Sequence, residues 1–493
     1  MSKKDKSEKK INKKVNKANK SAAKNKEKQM KQELKEAKHI KKQEEKEVVR
    51  IAKDNIKAER AHRLARRKEK EGSKLKWDKL DNTANLFPVI ANESVSNVYR
   101  ISATLYEEID RLKLQEALDI VLPKFDIFNV RLKKGIFWYY FETNMKEAPL
   151  VTREEDYPCK YIEPYSNNNY MFRVTYYNKR INLEVFHVLS DGLGAVTFLK
   201  ELIYQYLRLA HSELSDMVID NLSSETSLNK EDSYIKNYKK PEPKGYKQDK
   251  AFIIKNEMFR APEFGVMHGL IDIASLKRVT KEKGISINQF LVGTLFWSIY
   301  KEYLHEQPNK SPICSCVPVN LRPYFDSNTT KNFFAVVTAT FEVVKDHYTY
   351  DEVLELVASD LKRQINKEHL EKLFSYNVAS EKSVLIRAVP LFIKNFAMKQ
   401  IYKKSARANT STLTNIGPIS LTAPYEPYVD KFHVILSMSK GQNLKGSVCS
   451  FKDKLVFTFS SAVKDTSIQR AFFRKLTEQG IGVAIESNGV YYE

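Results

Sequence analysis

The stretch His187-Val188-Leu189-Ser190-Asp191-Gly192-Leu193-Gly194 joins an apolar, strand-like segment carrying Leu183, Val185 and Phe186 to an amphipathic segment that begins at Ala195. A histidine at the end of a strand can face a cleft while a rigid element holds it. Its neutral imidazole, with an ordinary pKa of about 6.5, can take a proton from a hydroxyl or an amine at physiological pH. Asp191 can lock the following turn through its own backbone bonds or through an arginine. Gly192 and Gly194 permit positive φ and close backbone approach. A lone histidine on a strand is most often a satisfied core residue. The Asp-Gly pair that follows His187, set between a strand and a helix, makes this histidine a candidate general base.

The elements that must position these residues follow from periodicity. Strands are expected at Val98–Leu105, Phe252–Ile254, Val266–Ile273, Ile313–Val319, Val336–Val344, Val434–Ser439, Leu444–Phe451 and Lys454–Ser460. Hairpins are expected for Phe128–Leu132 with Ile136–Phe141, turning at Lys133-Lys134-Gly135, and for Tyr170–Tyr177 with Ile181–Val188, turning at Asn178-Lys179-Arg180. Helical spacing marks Leu112–Leu122, Ala195–Leu209, Ala274–Lys283, Ile287–Tyr303 behind a Ser286 cap, Tyr350–Leu370 and Ile468–Gln479. Residues 222–250 are polar, with Lys-Lys-Pro-Glu-Pro-Lys-Gly, and read as a linker between lobes at 77–221 and 251–493. The class is α/β or α+β, with two lobes.

The charge is uneven. Residues 1–76 hold 29 Lys+Arg against 12 Asp+Glu, and the remainder holds 54 against 49. The basic balance therefore belongs to a tail. Residues 1–28 bury too little to order themselves, whereas the composition of 29–72 favours a long charged helix of about 65 Å. Three readings of the tail stand: attachment to anionic lipid, weak contact with nucleic acid, or a solubilising segment with no dedicated partner. Cys159, Cys314, Cys316 and Cys449 are too scattered for a disulfide framework, and no Cys/His set has metal spacing. No apolar stretch follows the N-terminal charges, and no run reaches eighteen apolar residues. The expectation is a reduced, cytoplasmic protein without a metal, membrane-peripheral if the tail binds lipid.

The His187–Gly192 segment resembles the His-x-x-x-Asp-Gly motif of the CoA-dependent acyltransferase superfamily, which includes chloramphenicol acetyltransferase, alcohol acetyltransferases and condensation domains. Three later segments in the same order add to the resemblance: Val317-Pro318-Val319-Asn320-Leu321-Arg322-Pro323, Lys331-Asn332-Phe333-Phe334 and Thr414-Asn415-Ile416-Gly417-Pro418, the last resembling a turn beside the active-site tunnel. Ile285-Ser286-Ile287-Asn288 resembles the family's helix start. The resemblance covers residues 78–493 and is nearest to the bacterial alcohol acetyltransferases. It implies a chloramphenicol acetyltransferase-like sandwich of two lobes, with a tunnel between them. It implies acyl transfer from acyl-CoA, acetyl-CoA in particular, to a small alcohol or amine, with His187 as base and no covalent enzyme intermediate. It implies a structural Asp191 paired with an arginine, for which Arg322 is the first candidate and Arg173 the second. By position, Asn415, Ser411 and Thr412 are candidates for the oxyanion donor. Phe186 stands where condensation domains and wax-ester synthases carry a second histidine, and the plant enzymes' Asp-Phe-Gly-Trp-Gly segment is missing. A carrier-bound donor and a non-catalytic binding protein localised by its tail are the alternatives.

Overall fold

In the computed structural model, Val98–Leu105 is the strand around which the first lobe is built. Tyr99, Ile101, Ala103 and Leu105 face a hydrophobic core, while Arg100 and Ser102, on the opposite face, are also buried. A strand covered on both sides must pair every backbone group, and this one has a partner along each edge. The structure describes residues 76–217, 232–240 and 250–490, all within one unit spanning Leu75–Glu493. The helix expected over 29–72 and most of the linker at 222–250 lie outside the described residues.

In chain order the strands are β1 (Trp77–Lys79), β2 (Val98–Leu105), β3 (Val130–Lys134), β4 (Tyr139–Thr143), β5 (Thr152–Arg153), β6 (Phe172–Tyr177), β7 (Arg180–Phe186) and β8 (Gly265–Asp272). They continue with β9 (Ile313–Asn320), β10 (Phe334–Phe341), β11 (Ser411–Pro418), β12 (Val429–Leu436), β13 (Leu444–Phe451), β14 (Lys454–Ser461) and β15 (Val483–Ser487). Among the described residues they form three sheets, ordered β12-β2-β7-β6-β5, β10-β9-β11-β13-β14-β8-β15 and β1-β4-β3. The first of these takes β12 from far along the chain, with Ser102 opposite His433. Helices Arg111–Val121 and Gly192–Ala210 pack together over this sheet. Across its other face, β12 touches β13 and β14 of the seven-stranded sheet.

The second lobe is organised by Ile287–Tyr303. Its Ser286/Gln289 capping box ties down the free N–H groups of the first turn. Every residue from Phe290 to Tyr300 is buried, as a helix apolar on all sides requires. Helices Tyr350–Gln364 and Ser467–Glu478 flank it.

Several expectations are corrected. Phe252–Ile254 is not a strand; Ala251 and Phe252 donate single hydrogen bonds to Arg407 and Pro312 carbonyls. The expected helix Tyr350–Leu370 stops at Gln364, because Asn366 accepts from the His369 N–H and caps a new helix, Lys367–Lys382. Helices Val384–Ala388 and Leu391–Ser405 follow. The first hairpin turns later than expected: the Gly135 N–H donates to the Trp138 carbonyl, leaving Ile136, Phe137 and Trp138 at the tip. The segment Thr414–Pro418 is the end of β11, parallel to β13, with a register shift between Asn415 and Gly417. All four cysteines are free thiols. Among the described residues no helix is long and apolar enough to cross a membrane.

Candidate active site

β7 ends at Phe186 and hands His187 to the mouth of a cavity of about 110 Å³ between the two large sheets. The His187 N–H is held by the Asn97 carbonyl. Its ring is stacked on Phe87 at 4.6 Å and meets the edge of Tyr99 at 5.0 Å. A chain of hydrogen bonds through Asn332 then fixes what the imidazole can do. Asn332 Nδ2 donates to Asp81 Oδ2 at 2.8 Å, and Asp81 Oδ1 accepts from the Ala84 N–H. With its NH₂ so committed, Asn332 must turn Oδ1 to His187 Nδ1, 3.2 Å away. An amide oxygen only accepts, so Nδ1 carries the hydrogen and Nε2 keeps its lone pair. Burial pushes the His187 pKa below its ordinary value, outweighing its own carbonyl, Asp191 and Asn332, which pull it up. The ring is neutral at pH 7, with its basic nitrogen uncommitted.

Asp191 does not contact the imidazole as a relay. It is the N-cap of Gly192–Ala210, accepting from the Gly194 N–H, and it forms a two-pronged pair with Arg322 Nη1 and Nη2 at 2.8 and 3.1 Å. It also accepts from the Phe333 N–H. The guanidinium reaches the carbonyls of Thr329 and Lys331 as well, so Arg322 ties the histidine loop to the second lobe. Arg173 is elsewhere: it pairs with Glu184 on the face of β7 away from the core.

Neither glycine of the motif adopts positive φ. Their role is close approach. A Cβ on Gly194 would meet Ser190 Oγ at 2.0 Å and the Thr330 carbonyl at 2.4 Å, and one on Gly192 would meet Ile416 Cδ1 at 2.9 Å. Ser190 Oγ itself donates to that Thr330 carbonyl, a second tie between the lobes.

Of the three candidate oxyanion donors, one lines the cavity. Asn415 does, and its Oδ1 is held by the Gly417 N–H, which aims the amide nitrogen away from that bond. The bulge that follows it, with Gly417 at φ +86°, re-aims this end of β11. Ser411 donates to the Leu444 carbonyl and Thr412 to Gln442 Oε1; both are structural and neither lines the cavity. Thr414 does line it. Asp81, Phe87 and Tyr99 were not readable as site residues, because only tertiary contacts bring them to His187. Asn332 lay within a segment noted for its sequence and now acquires a role.

A larger concavity, about 640 Å³, is lined by Arg100, Glu154, Asp156, Lys160 and Arg173 among others. These five side chains are ion-paired, in Arg100–Glu154, Lys160–Asp156 and Arg173–Glu184. Among the described residues no cluster of His, Cys, Asp or Glu could hold a metal ion.

No protein-family model and no curated protein matches the chain. Solved structures do. The chain is similar to Fusarium graminearum TRI101 complexed with coenzyme A and deoxynivalenol: 10% identity, TM-score 0.57, covering 83% of this chain and 99% of that one. It is similar to the TRI3 trichothecene 15-O-acetyltransferase of Fusarium sporotrichioides, at 10% identity and TM-score 0.52, covering 83% and 95%. It is also similar to the starter condensation domain of rhizomide synthetase in complex with C8-CoA and Leu-SNAC, at 11% identity and TM-score 0.52, covering 82% and 94%. The chain has the fold shared by CoA-dependent acyltransferases and condensation domains.

Proposed function

We propose that this protein is an acyl-CoA-dependent acyltransferase that moves a short acyl group, acetyl in the first instance, onto an alcohol or amine, in the manner of alcohol acetyltransferases. The observation that carries the reading is the Asp81–Asn332–His187 chain, which leaves a neutral, uncommitted Nε2 in an inter-lobe cavity.

In this reading the acceptor O–H or N–H gives its proton to His187 Nε2 as its oxygen or nitrogen bonds to the thioester carbonyl carbon. Asn415 Nδ2 donates to the oxyanion of the tetrahedral intermediate. As that intermediate collapses, the C–S bond breaks and the proton passes from His187 to the leaving thiolate. Ester or amide and free CoA result, and no enzyme residue is acylated. Asp191 and Arg322 hold the loop, and Asp81 and Asn332 are positioning residues that select the imidazole tautomer. General-base catalysis of this kind contributes about 10²–10⁴-fold.

The test is thiol release from acetyl-CoA across a panel of alcohols and amines, for wild type and His187→Ala. The expected outcome is turnover with one acceptor class that falls at least about a hundredfold in the variant while thermal unfolding is unchanged. Turnover only with an acyl carrier protein would move the donor to a carrier-borne thioester. Equal turnover by His187→Ala overturns the mechanism.

A further inference from the structure

The helix Leu391–Ser405 carries exposed apolar residues across its solvent-facing half. Phe392 is 69% exposed, Phe396 67% and Ile401 66%, and Leu385 in the preceding short helix is 83% exposed. The tip of the β3–β4 hairpin adjoins them: the Leu391 N–H donates to the Ile136 carbonyl, and Lys394 Nζ to the Phe137 carbonyl. Ile136 there is 75% exposed, and Phe137 and Trp138 are also exposed. Isolated apolar side chains on a surface need no explanation, but a contiguous set of this size marks an interaction site.

Along this stretch of the chain the charge has one sign. From Lys382 to Tyr425 the chain holds seven Lys and Arg and no Asp or Glu, whereas 54 basic and 49 acidic residues stand outside residues 1–76. Lys399, Lys403, Lys404 and Arg407 are exposed along the last turns of the helix and just beyond it. This charge argues against two occupants. A second copy seated on the same face would set these cations against themselves, and the chain's own residues 1–76 are strongly basic. An anionic lipid surface complements both parts: the aromatic and aliphatic tips enter the acyl boundary and the Lys and Arg meet headgroup phosphates.

We infer that the face made by Leu385, Phe392, Phe396, Ile401 and the Ile136–Trp138 hairpin tip, with Lys399, Lys403 and Lys404, seats this protein on an anionic lipid bilayer. The seat lies beside the candidate site, because Leu391–Ser405 packs on the short helix Phe87–Ile90, whose Phe87 stacks on His187. It stands on surface chemistry and does not depend on the reaction proposed above.

Trp138 is a local reporter. The chain has three tryptophans, of which Trp297 is buried. The full-length Trp77→Phe protein is mixed with phosphatidylcholine vesicles containing brominated phosphatidylcholine, with and without phosphatidylglycerol. Expected are quenching of Trp138 only with phosphatidylglycerol present and a loss of at least about tenfold in vesicle affinity for Phe392→Asp/Phe396→Asp/Ile401→Asp, whose unfolding temperature is unmoved. Vesicle binding without Trp138 quenching, equal in the triple variant, assigns lipid contact to residues 1–76 and overturns the proposal. Absence of vesicle binding overturns it too. A dimer that sedimentation velocity shows to be broken by the triple variant gives the face to a second copy instead.

Discussion

Two polar groups, one within strand β7 and one just past its end, finish in opposite states. Glu184, in mid-strand, is saturated: it accepts from Arg100 Nε at 2.8 Å and the Cys159 N–H at 2.6 Å, and it pairs with Arg173. Arg100 and Arg180 in turn hold Glu154. His187, just past the strand's end, is satisfied on one nitrogen and open on the other. Both lie in protein-surrounded settings where an unpaired polar group is costly. The first network meets that cost by closing on itself, and is structural. The second leaves one lone pair facing a cavity and surrounds the rest with fixed partners, which is what a base requires. What marks the second place as a site is the uncommitted atom.

Arg322→Ala gives the largest expected effect. It leaves Asp191 with no cation and frees the histidine loop from the second lobe, costing roughly 3–5 kcal/mol of stability. Activity falls about a hundredfold or more through misplacement of His187. Chemical denaturation and thiol release report the two losses, and a variant that keeps full activity would break the contrast drawn above. Glu184→Gln should cost less, roughly 1–3 kcal/mol, because Arg100 keeps Glu154 and only Arg173 loses its carboxylate. Its kcat, measured on the folded fraction, should stay within about twofold of wild type; a collapse of kcat without unfolding would move Glu184 into the catalytic group.

A third prediction concerns pH. Burial pushes the His268 pKa down to about 3, and burial together with His268, at a ring distance of 4.5 Å, takes His433 well below its ordinary value. Both are neutral in the fold, and the unfolded chain binds their protons more readily. Stability from this pair is complete above about pH 6.5 and is lost as pH falls toward 3. The urea midpoint at pH 5 should sit below that at pH 7 by the equivalent of about 4 kcal/mol, roughly 2 from each histidine. A flat profile would mean that the pair is hydrated.

The smallest effect is expected from Asp81→Asn. The new amide no longer dictates which way Asn332 faces, so kcat falls about tenfold while KM and unfolding temperature hold. Burial raises the Asp81 pKa to about 7, against the pull of Asn332 and the Ala84 N–H. As pH rises through that value the carboxyl becomes accept-only and fixes Asn332 more firmly. The wild-type kcat profile should therefore carry a rising shoulder there, above the His187 limb below pH 6.5, that Asp81→Asn lacks. An unchanged profile in the variant would reduce Asp81 to packing.

What was legible in the sequence tracks local physics. Val98–Leu105, Ile287–Tyr303 and Leu444–Phe451 were read to the residue, the second because Ser286 caps an apolar stripe. Helix Leu391–Ser405 was not read, because its apolar residues follow no single stripe: they face outward as well as inward. In the site, His187, Asp191 and Arg322 were legible through spacing and order along the chain. Ser411 and Thr412 were misplaced, because the run that suggested a turn is a strand whose hydroxyls bond to their neighbours. Asp81 stands 251 residues from the Asn332 it orients, and nothing local marks it.

The pairing of β2 with β12 has a consequence for synthesis. β2 is finished at Leu105, yet the strand that covers its second edge ends at Leu436. At about 5–20 residues per second, the interval between them is on the order of half a minute. Through that time the first lobe leaves the ribosome with its central strand unpaired on one side, a ready template for another chain's strand. The five-stranded sheet can close only after most of the second lobe has been made, so the order of translation is the reverse of what this edge needs.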